Sequence, residues 1–256
     1  MINKETASEM QAPSIYKGQR STRTVDQGKF VVNFDFPGEN LPGHGDHGYG
    51  PLSVVAESFL KPGTWIRLHQ HSNEDIISYV PAGVMRHADP TAGQLVVDSE
   101  HLMVMNSGAS FWHEERTHED DPPLRMLQIF VRPERLNEEP GIQYGPLQPL
   151  IAGQWRGLVG PEGAEAPFSV RNEISLQDLY LEEGSSAELP FKRGWETYLY
   201  VFEGAIELGG DHLGLAETAL ITGGEGLRVT ARAETLLLAF VINPAARITR
   251  QGTIGR

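Results

Sequence analysis

Short runs rich in β-branched and aromatic residues, separated by glycine and proline, are the feature of this 256-residue sequence that most limits its fold. The 28 glycines and 17 prolines interrupt long amphipathic stretches, whereas Val, Ile, Tyr and Phe favour strands. The predicted strands of the first half are residues 52–60, 65–68, 75–80, 84–87, 94–97, 102–105 and 124–131. A spacing of about ten residues between strands is typical of an all-β barrel or sandwich.

The second half carries a similar set of predicted strands. They are residues 175–180, 196–202, 205–208, 217–221 and 236–241. Residues 1–29 are polar and weakly periodic, which predicts an N-terminal arm that is either flexible or an edge strand. We expect a first β-domain over residues 30–135, a Pro and Gly rich linker over 136–149, and a second β-domain over 150–256.

An internal repeat supports this division. A shift of 121 positions lays residues 63–68 on 184–189, Tyr79-Val80 on Tyr200-Val201, and Gly83 on Gly204. A repeat at a fixed offset predicts duplication of one barrel, so that two barrels pack together.

Composition excludes several classes of protein. There is no cysteine, so disulfides, thiolate nucleophiles and Cys-ligated metals are excluded. The formal net charge of −13 opposes direct binding to nucleic acid or to an anionic membrane. The sequence contains neither an apolar run long enough to span a membrane nor an N-terminal secretory signal. We therefore expect a cytoplasmic monomer or dimer, for which a protein partner remains open.

Two pairs of metal-binding side chains stand about forty residues apart, and each pair is spaced i, i+2. The first pair is His69 and His71, and the second is His113 and Glu115. On a strand this spacing sends both side chains to one face, so two adjacent strands could bring all four groups together. Three imidazoles and one carboxylate suit Fe(II), Mn(II), Ni(II), Cu(II) or Zn(II), and they leave positions open on an octahedral ion. The sequence predicts a metal site with exchangeable positions.

The same shift of 121 indicates that the second half lacks such a site. It replaces His69, His71 and His113 by Pro190, Lys192 and Glu234.

Several residues near the predicted ligands allow alternatives. Glu114 or His118 could replace Glu115, because an acidic run follows it, and either Asp75 or Glu74 could accept a hydrogen bond from a ligand imidazole. His87 and His118 are expected to be exposed strand or loop residues.

The aromatic residues and a loop histidine pair have other expected places. Trp65 and Trp112 are predicted to lie in the core or at the barrel rim, and Phe111 on the metal side of its strand. His44 and His47 belong to a Gly and Pro rich loop and are not expected to bind metal.

The residues around the two pairs resemble the pirin family of cupins. Gly63, His69-Gln-His71 and Gly83 resemble the first cupin motif, and residues 106–115, Asn-Ser-Gly-Ala-Ser-Phe-Trp-His-Glu-Glu, resemble the corresponding pirin segment. Residues 79–89 and 126–132 resemble the pirin segments that come after each ligand pair. The sequence departs from the usual pirin pattern at Gln70, where pirins have Pro, and at Asp75, where they have Glu.

The resemblance implies two tandem cupin barrels of jelly-roll type and a metal, most often Fe(II), held by His69, His71, His113 and Glu115. It also implies an oxidoreductase that opens flavonols such as quercetin with dioxygen, in which Glu115 accepts the proton of the substrate hydroxyl. A second function known in the family is regulatory, in which the iron state controls docking to a transcription factor or a metabolic enzyme. A third possibility is a vestigial or structural site.

Overall fold

The computed structural model describes residues 13–256, so that the first part of the predicted arm lies outside the described residues. The strands of the first half are β1 (Ser14–Gly18), β2 (Thr24–Asp26), β3 (Phe30–Asp35), β4 (Leu52–Leu60), β5 (Trp65–His71), β6 (Asp75–Ala82), β7 (Met85–Asp89), β8 (Gly93–Val97), β9 (His101–Asn106), β10 (Phe111–Arg116), β11 (Leu124–Val131) and β12 (Gly141–Pro146). A single 3₁₀ turn, Pro37–Asn40, follows β3.

The second half continues with strands alone in the part of the chain that the structure describes. They are β13 (Arg156–Pro161), β14 (Phe168–Val170), β15 (Ile174–Leu181), β16 (Ser186–Glu188), β17 (Glu196–Glu203), β18 (Ile206–Leu208), β19 (Asp211–Leu213), β20 (Thr218–Thr222), β21 (Arg228–Ala231) and β22 (Thr235–Ile242). The predicted all-β class is confirmed. Among residues 13–256, no helix is long and apolar enough to cross a membrane.

Each domain combines a seven-stranded sheet with a four-stranded sheet. In the N-terminal domain the large sheet has the order β12-β9-β6-β11-β4-β3-β2, and the small sheet has the order β5-β10-β7-β8. In the C-terminal domain the orders are β1-β20-β17-β22-β15-β13-β14 and β16-β21-β18-β19. Apart from the parallel pair β13 and β14, the paired strands are antiparallel.

The two large sheets pack against each other and form the largest apolar core. Ile77 and Tyr79 of β6 belong to the same buried cluster as Tyr200 of β17 and Phe240 of β22. Each domain also has its own interior between its large and small sheets. The layers therefore have the order small, large, large and small sheet, which is the tandem arrangement predicted from the repeat.

The offset of 121 residues is exact over three consecutive strands of each domain and becomes smaller after them. Strands β5, β6 and β7 begin at residues 65, 75 and 85, and β16, β17 and β18 begin 121 residues later, at 186, 196 and 206. The central strand of the large sheet, however, begins at residue 124 in β11 and at residue 235 in β22. Shorter connections in the C-terminal domain account for the difference.

This drift corrects one part of the sequence comparison. His113 pairs with His69 across β10 and β5. In the C-terminal domain Glu188 pairs with Arg228, so the antiparallel register places Gly226, not Glu234, opposite Pro190. Glu234 precedes β22 and does not correspond to His113. The fixed shift failed because it ignored the shorter connections.

Two segments predicted to lie outside the domains contribute strands to them. The predicted linker 136–149 contains β12, which pairs with β9 at the edge of the N-terminal large sheet. The described part of the predicted arm contains β2, which pairs with β3, and β1, which pairs with β20 of the C-terminal domain. The linker prediction was therefore wrong over β12, because short polar edge strands resemble loops in sequence.

Charged side chains are buried where the domains meet. Glu57 of β4 is fully buried and accepts hydrogen bonds from Arg125, which also donates to the carbonyl of Phe202 in the other domain. Tyr79 donates to Asp178, which also pairs with Arg156. These paired groups fix the register of the two large sheets, since leaving a buried charge without its partner costs several kcal/mol.

Asp35 should make stability depend on pH. Burial, followed by the repulsion of Glu57, raises the pKa of Asp35 from 3.8 to about 7. Because the folded-state pKa is the higher one, the stabilising contribution is complete below pH 3.8 and is lost as pH rises through about 7. We expect the free energy of unfolding of the wild type to fall relative to that of Asp35→Asn between about pH 5 and about pH 8.

Urea unfolding at about pH 5 and about pH 8 measures the difference in free energy of unfolding between the wild type and Asp35→Asn. Asp26→Asn, at an exposed position, is the control. A gap between wild type and Asp35→Asn that does not change with pH would contradict it.

Candidate metal centre

The three predicted histidine ligands converge on the inner face of the small N-terminal sheet. Strands β5 and β10 are antiparallel neighbours in which His69 pairs with His113 and His71 pairs with Phe111. The ring centroid of His113 lies 4.3 Å from that of His69 and 5.2 Å from that of His71. One nitrogen of each ring lies within 4.8 Å of the others, which is the spacing that a shared ion requires. The i, i+2 spacing thus places them as predicted.

Glu115 lies beside this group, shifted by a bulge. The pairing of β10 with β5 changes register between His113 and Glu115. The Glu115 carboxylate forms a second close group with His113 and His87, and its Oε1 atom is 3.7 Å from Nδ1 of His113. Gln128 of β11 donates to the same oxygen at 2.8 Å. Glu115 is fully enclosed and borders the same cavity as His69 and His71.

Hydrogen bonds at Nδ1 determine which nitrogen of each imidazole is free. His69 Nδ1 donates to the carbonyl oxygen of Arg67 at 2.8 Å, and His71 Nδ1 donates to Oε1 of Glu74 at 2.6 Å. His113 Nε2 is buried without a hydrogen-bond partner. A buried nitrogen lacking a partner is costly unless something binds it. The chemistry of the donor set therefore fits a metal ion bound by three Nε2 atoms.

The Nδ1 atom of His113 has another histidine as its hydrogen-bond partner. Nδ1 of His113 lies 3.3 Å from Nδ1 of His87, and Nε2 of His87 lies 2.8 Å from Oδ2 of Asp89. Because the carboxylate can only accept, His87 carries its proton on Nε2, and its Nδ1 accepts from His113. This relay, His113–His87–Asp89, leaves Nε2 of His113 free for a ligand bond.

The position of His87 corrects the sequence prediction. His87 is 1% exposed rather than exposed, because Met85, His87 and Asp89 alternate inward along β7. The signal that could have found it is the same i, i+2 spacing that marks the ligands, since His87 and Asp89 share it.

Glu74, not Asp75, is the acceptor for the predicted ligand His71. The carboxylate of Asp75 instead accepts from the backbone N–H of Arg171 in the other domain at 2.6 Å. Burial raises the pKa of Asp75 to about 6. Glu74 reaches His71 because it lies in the bend between β5 and β6.

The other singled-out residues occupy varied places. Phe111 is buried beside His87 and His113, on the predicted side of its strand. Trp65 and Trp112 are 58% and 46% exposed, so that neither lies in the core, the first of the two predicted places. Trp112 points outward because its neighbours Phe111 and His113 point inward.

The remaining histidines lie apart from the three converging rings. His118 is exposed near Asp121. In the loop of His44 and His47, His44 contacts the Gly48 carbonyl, and the neighbouring Asp46 pairs with Arg132.

A small cavity opens onto the cluster. It has a volume of about 190 Å³, and its walls combine aromatic and aliphatic side chains with the polar side chains of Gln27, His69, His71, Glu115 and Gln128. The apolar part is formed by Val25, Phe30, Val32, Phe34, Ala56, Ile66, Phe130 and Ile254. An apolar pocket ending in a few polar groups is the usual form of a small-molecule site.

Burial sets the protonation of the cluster. It lowers the pKa of His69, and burial together with the neighbouring imidazoles lowers the pKa of His113 to about 2. Burial also raises the pKa of Glu115 to about 7. The two imidazoles are therefore neutral near pH 7, the form in which imidazole binds metal.

Comparisons with known proteins agree with this architecture. The sequence matches Pirin over residues 20–131 and the quercetinase C-terminal cupin domain over residues 158–241. The pirin-like protein YhaK of Escherichia coli O157:H7 is 24% identical over 192 residues, which cover 75% of this chain and 79% of YhaK. Quercetin 2,3-dioxygenase of the same strain is 20% identical over 199 residues, covering 77% and 84%.

A solved structure shares the fold. The bacterial pirin YhhW from Escherichia coli, in complex with nickel(II), has a TM-score of 0.75 and 17% identity, and the match covers 90% of this chain and 99% of YhhW. This likeness confirms the predicted tandem cupin fold.

The relay predicts the effect of Asp89→Asn on metal binding. The amide N–H₂ of Asn would favour an unprotonated Nε2 on His87, which moves the His87 proton to Nδ1 and in turn forces a proton onto Nε2 of His113. We expect the affinity for Ni²⁺ to fall by about tenfold or more, as for other losses of a ligand's hydrogen-bond partner. Calorimetric titration of the metal-free protein with Ni²⁺ measures this affinity.

Asp98→Asn is the matched control, because Asp98 accepts from His101 at 2.8 Å in a partly exposed pair outside the cluster. Equal Ni²⁺ affinity of Asp89→Asn and the wild type would disprove the relay.

Proposed function

The chain belongs to the pirin family, and we propose that it is a mononuclear metal-dependent dioxygenase acting on flavonols or related phenolic compounds. The observation that carries the proposal is the convergence of three partnered histidines, two of which, His69 and His71, line a largely apolar cavity. Related proteins named quercetin 2,3-dioxygenase indicate the first substrate class to test.

We propose that His69, His71, His113 and Glu115 hold the ion, and that the C-terminal domain holds none. The bound ion would supply Lewis acidity toward a phenolic oxygen and open positions for substrate and dioxygen. Fe(II) is the metal we propose, on the resemblance of the family and the nitrogen and oxygen donor set. The nickel(II) in the related pirin makes Ni(II) the first alternative, with Mn, Cu and Zn also compatible with the donors.

The cavity walls fit an aromatic substrate. Phe30, Phe34 and Phe130 line the same cavity as His71, and such apolar walls would limit the access of water to the reacting groups. A planar phenolic ring between these side chains would direct its hydroxyl toward the polar end, where Glu115 and Gln128 lie.

Glu115 is the proposed proton acceptor. Its raised pKa, about 7, makes the carboxylate a stronger base than an exposed Glu at the same pH. Gln128 donates to Oε1 of Glu115 and so fixes the carboxylate while leaving Oε2 to accept the substrate proton. Deprotonation of the substrate hydroxyl by Glu115 produces the phenolate form that reacts.

The variant Glu115→Gln separates proton transfer from metal binding. We expect it to retain more metal than His69→Ala, yet to lose about 100-fold or more in turnover, because the amide cannot accept the proton. The measurements are metal content after anaerobic purification and oxygen uptake with quercetin. His118→Ala, an exposed histidine, is the control.

About one metal ion per chain, lost in His69→Ala, together with uptake that requires the metal, supports the proposal. Full activity of Glu115→Gln overturns the role of Glu115, and bound metal without uptake on any phenolic overturns the dioxygenase function.

An exposed apolar patch favours one alternative, an iron-dependent regulator that binds a transcription factor or a metabolic enzyme. Trp65 and Leu68 of β5 and Trp112 of β10 are 58%, 56% and 46% exposed on the strands that carry the histidines. Association that depends on the oxidation state of the metal and is lost in Trp112→Ala would favour this function.

A further inference from the structure

The segment of residues 249–256 leaves the C-terminal domain and lies against the N-terminal domain. The backbone N–H of Thr249 donates to the carbonyl of Pro133, and Arg250 pairs with Asp46 at 2.8 Å. Asp46 also binds Arg132, which is fully buried and donates to the carbonyl of Arg256 at 2.5 Å. Contacts at both ends of the segment therefore fix its path.

The middle of the segment surrounds the carboxylate of Glu74. The backbone N–H groups of Ile254 and Gly255 donate to Oε2 of Glu74 at 2.9 and 2.7 Å. The other oxygen of the same carboxylate accepts from Nδ1 of His71 at 2.6 Å. Glu74 is fully buried, so the segment supplies the hydrogen bonds that one side of this charge needs.

Two glycines allow this close approach. A Cβ atom at Gly252 would lie 2.7 Å from Oε2 of Glu74, and one at Gly255 would lie 3.2 Å from it. Both glycines are buried. The segment thus fits the carboxylate because it has no side chain at either position.

Neighbouring residues hold the segment in register with β5. Thr253 accepts from the backbone N–H of Ser72 through its hydroxyl, and its own N–H donates to the carbonyl of Ser72. Ser72 directly follows His71. The side chain of Ile254 then forms part of the cavity wall beside His69 and His71.

We propose that residues 249–256 are a positioning segment of the metal centre, which fixes the Glu74 carboxylate and thereby the tautomer and orientation of His71, while Ile254 shapes the substrate cavity. This inference rests on the proposed metal site. It gives the C-terminal domain a part in that site, through hydrogen bonds rather than through ligands.

A double-mutant cycle tests whether the segment acts through Glu74. Gly252→Ala displaces the carboxylate and should lower Ni²⁺ affinity by about tenfold, and Glu74→Gln should lower it by about 10 to 100-fold. If the segment acts through Glu74, adding Gly252→Ala to Glu74→Gln should change the affinity by less than about twofold. Gln251→Ala, an exposed neighbour, is the control.

Losses of affinity that add in the double variant, or wild-type affinity in Gly252→Ala, overturn the proposal. Calorimetric titration of the metal-free proteins gives these affinities without any substrate.

A spectroscopic measurement covers the case in which Glu74→Gln does not fold. In the Co²⁺ form, NMR resolves the imidazole N–H protons of metal-bound histidines as strongly shifted signals. We expect Gly252→Ala to broaden or lose one such signal, that of His71, by faster exchange with solvent, whereas Gln251→Ala keeps all of them. Unchanged signals in Gly252→Ala contradict the role of the segment.

The role of the Ile254 side chain is tested separately. Ile254→Ala keeps both backbone donors, so it should change Ni²⁺ affinity by less than about twofold while raising KM for quercetin more than it lowers kcat. Equal KM values overturn the role of Ile254 in the cavity.

The outcomes also separate this inference from the proposed function. Metal binding with a non-additive cycle but no oxygen uptake would reject the dioxygenase and keep the positioning segment. Oxygen uptake together with an additive cycle would keep the dioxygenase and reject the positioning segment. A wild-type protein that binds no Ni²⁺, Co²⁺ or Fe²⁺ would reject both.

Discussion

Three imidazoles on adjacent strands can direct Nε2 to one point only when each Nδ1 has its own acceptor. In this protein the three acceptors are chemically different: a backbone carbonyl for His69, a carboxylate for His71 and a second imidazole for His113. Without them each ring could carry its proton on either nitrogen. The unpartnered Nε2 of His113 is a cost to the fold unless something binds it.

Each acceptor depends on a different part of the structure. Arg67 is supplied by β5 itself, so the contact to His69 is local. His87 is supplied by β7, the other neighbour of β10 in the small sheet. Glu74 depends on the bend after β5 and on the segment that arrives from the other domain. The metal centre is therefore coupled to the packing of the two domains, and a change far along the chain can reach His71.

Strand periodicity was enough to predict the regular parts of the fold and the convergence of three histidines. Strands β4 and β11 have the predicted bounds, and His69, His71 and His113 lie on one face because β5 and β10 are regular there. Periodicity failed where a bend or a long-range contact determines which side chain reaches the site. Glu74 rather than Asp75 reaches His71 because the strand ends between His71 and Asp75, so alternation no longer applies.

Other parts of the site could not be read from local patterns. Nothing in residues 249–256 marks them as a partner of Glu74, since the contact joins residues about 180 positions apart. The inward position of His87 was available from the i, i+2 rule, but an isolated histidine is usually exposed or paired elsewhere. The strand β12 was missed because its residues form a short edge of the sheet.

The two domains have unequal interiors. The N-terminal barrel encloses His71, His87, Asp89, His113 and Glu115 between two separate apolar clusters. The C-terminal interior is one continuous cluster of Leu, Val, Ile and Ala side chains, with Gly226 opposite Pro190 where the other domain has its histidines. Buried polar groups weaken a core unless each is partnered, whereas an aliphatic interior stabilises by about 25 cal/mol per Å² buried.

A barrel that holds a polar site therefore benefits from a rigid apolar neighbour. The large sheets supply this through their common core of Ile77, Tyr79, Tyr200 and Phe240, which is continuous across the boundary. The C-terminal domain has the shorter connections and an aliphatic interior. Its remaining contribution to the site runs through the packed sheets and through the eight residues that reach back to Glu74. The unequal interiors and the crossing segment give the two domains different parts, because the N-terminal domain encloses the histidine cluster and the C-terminal chain end supports Glu74.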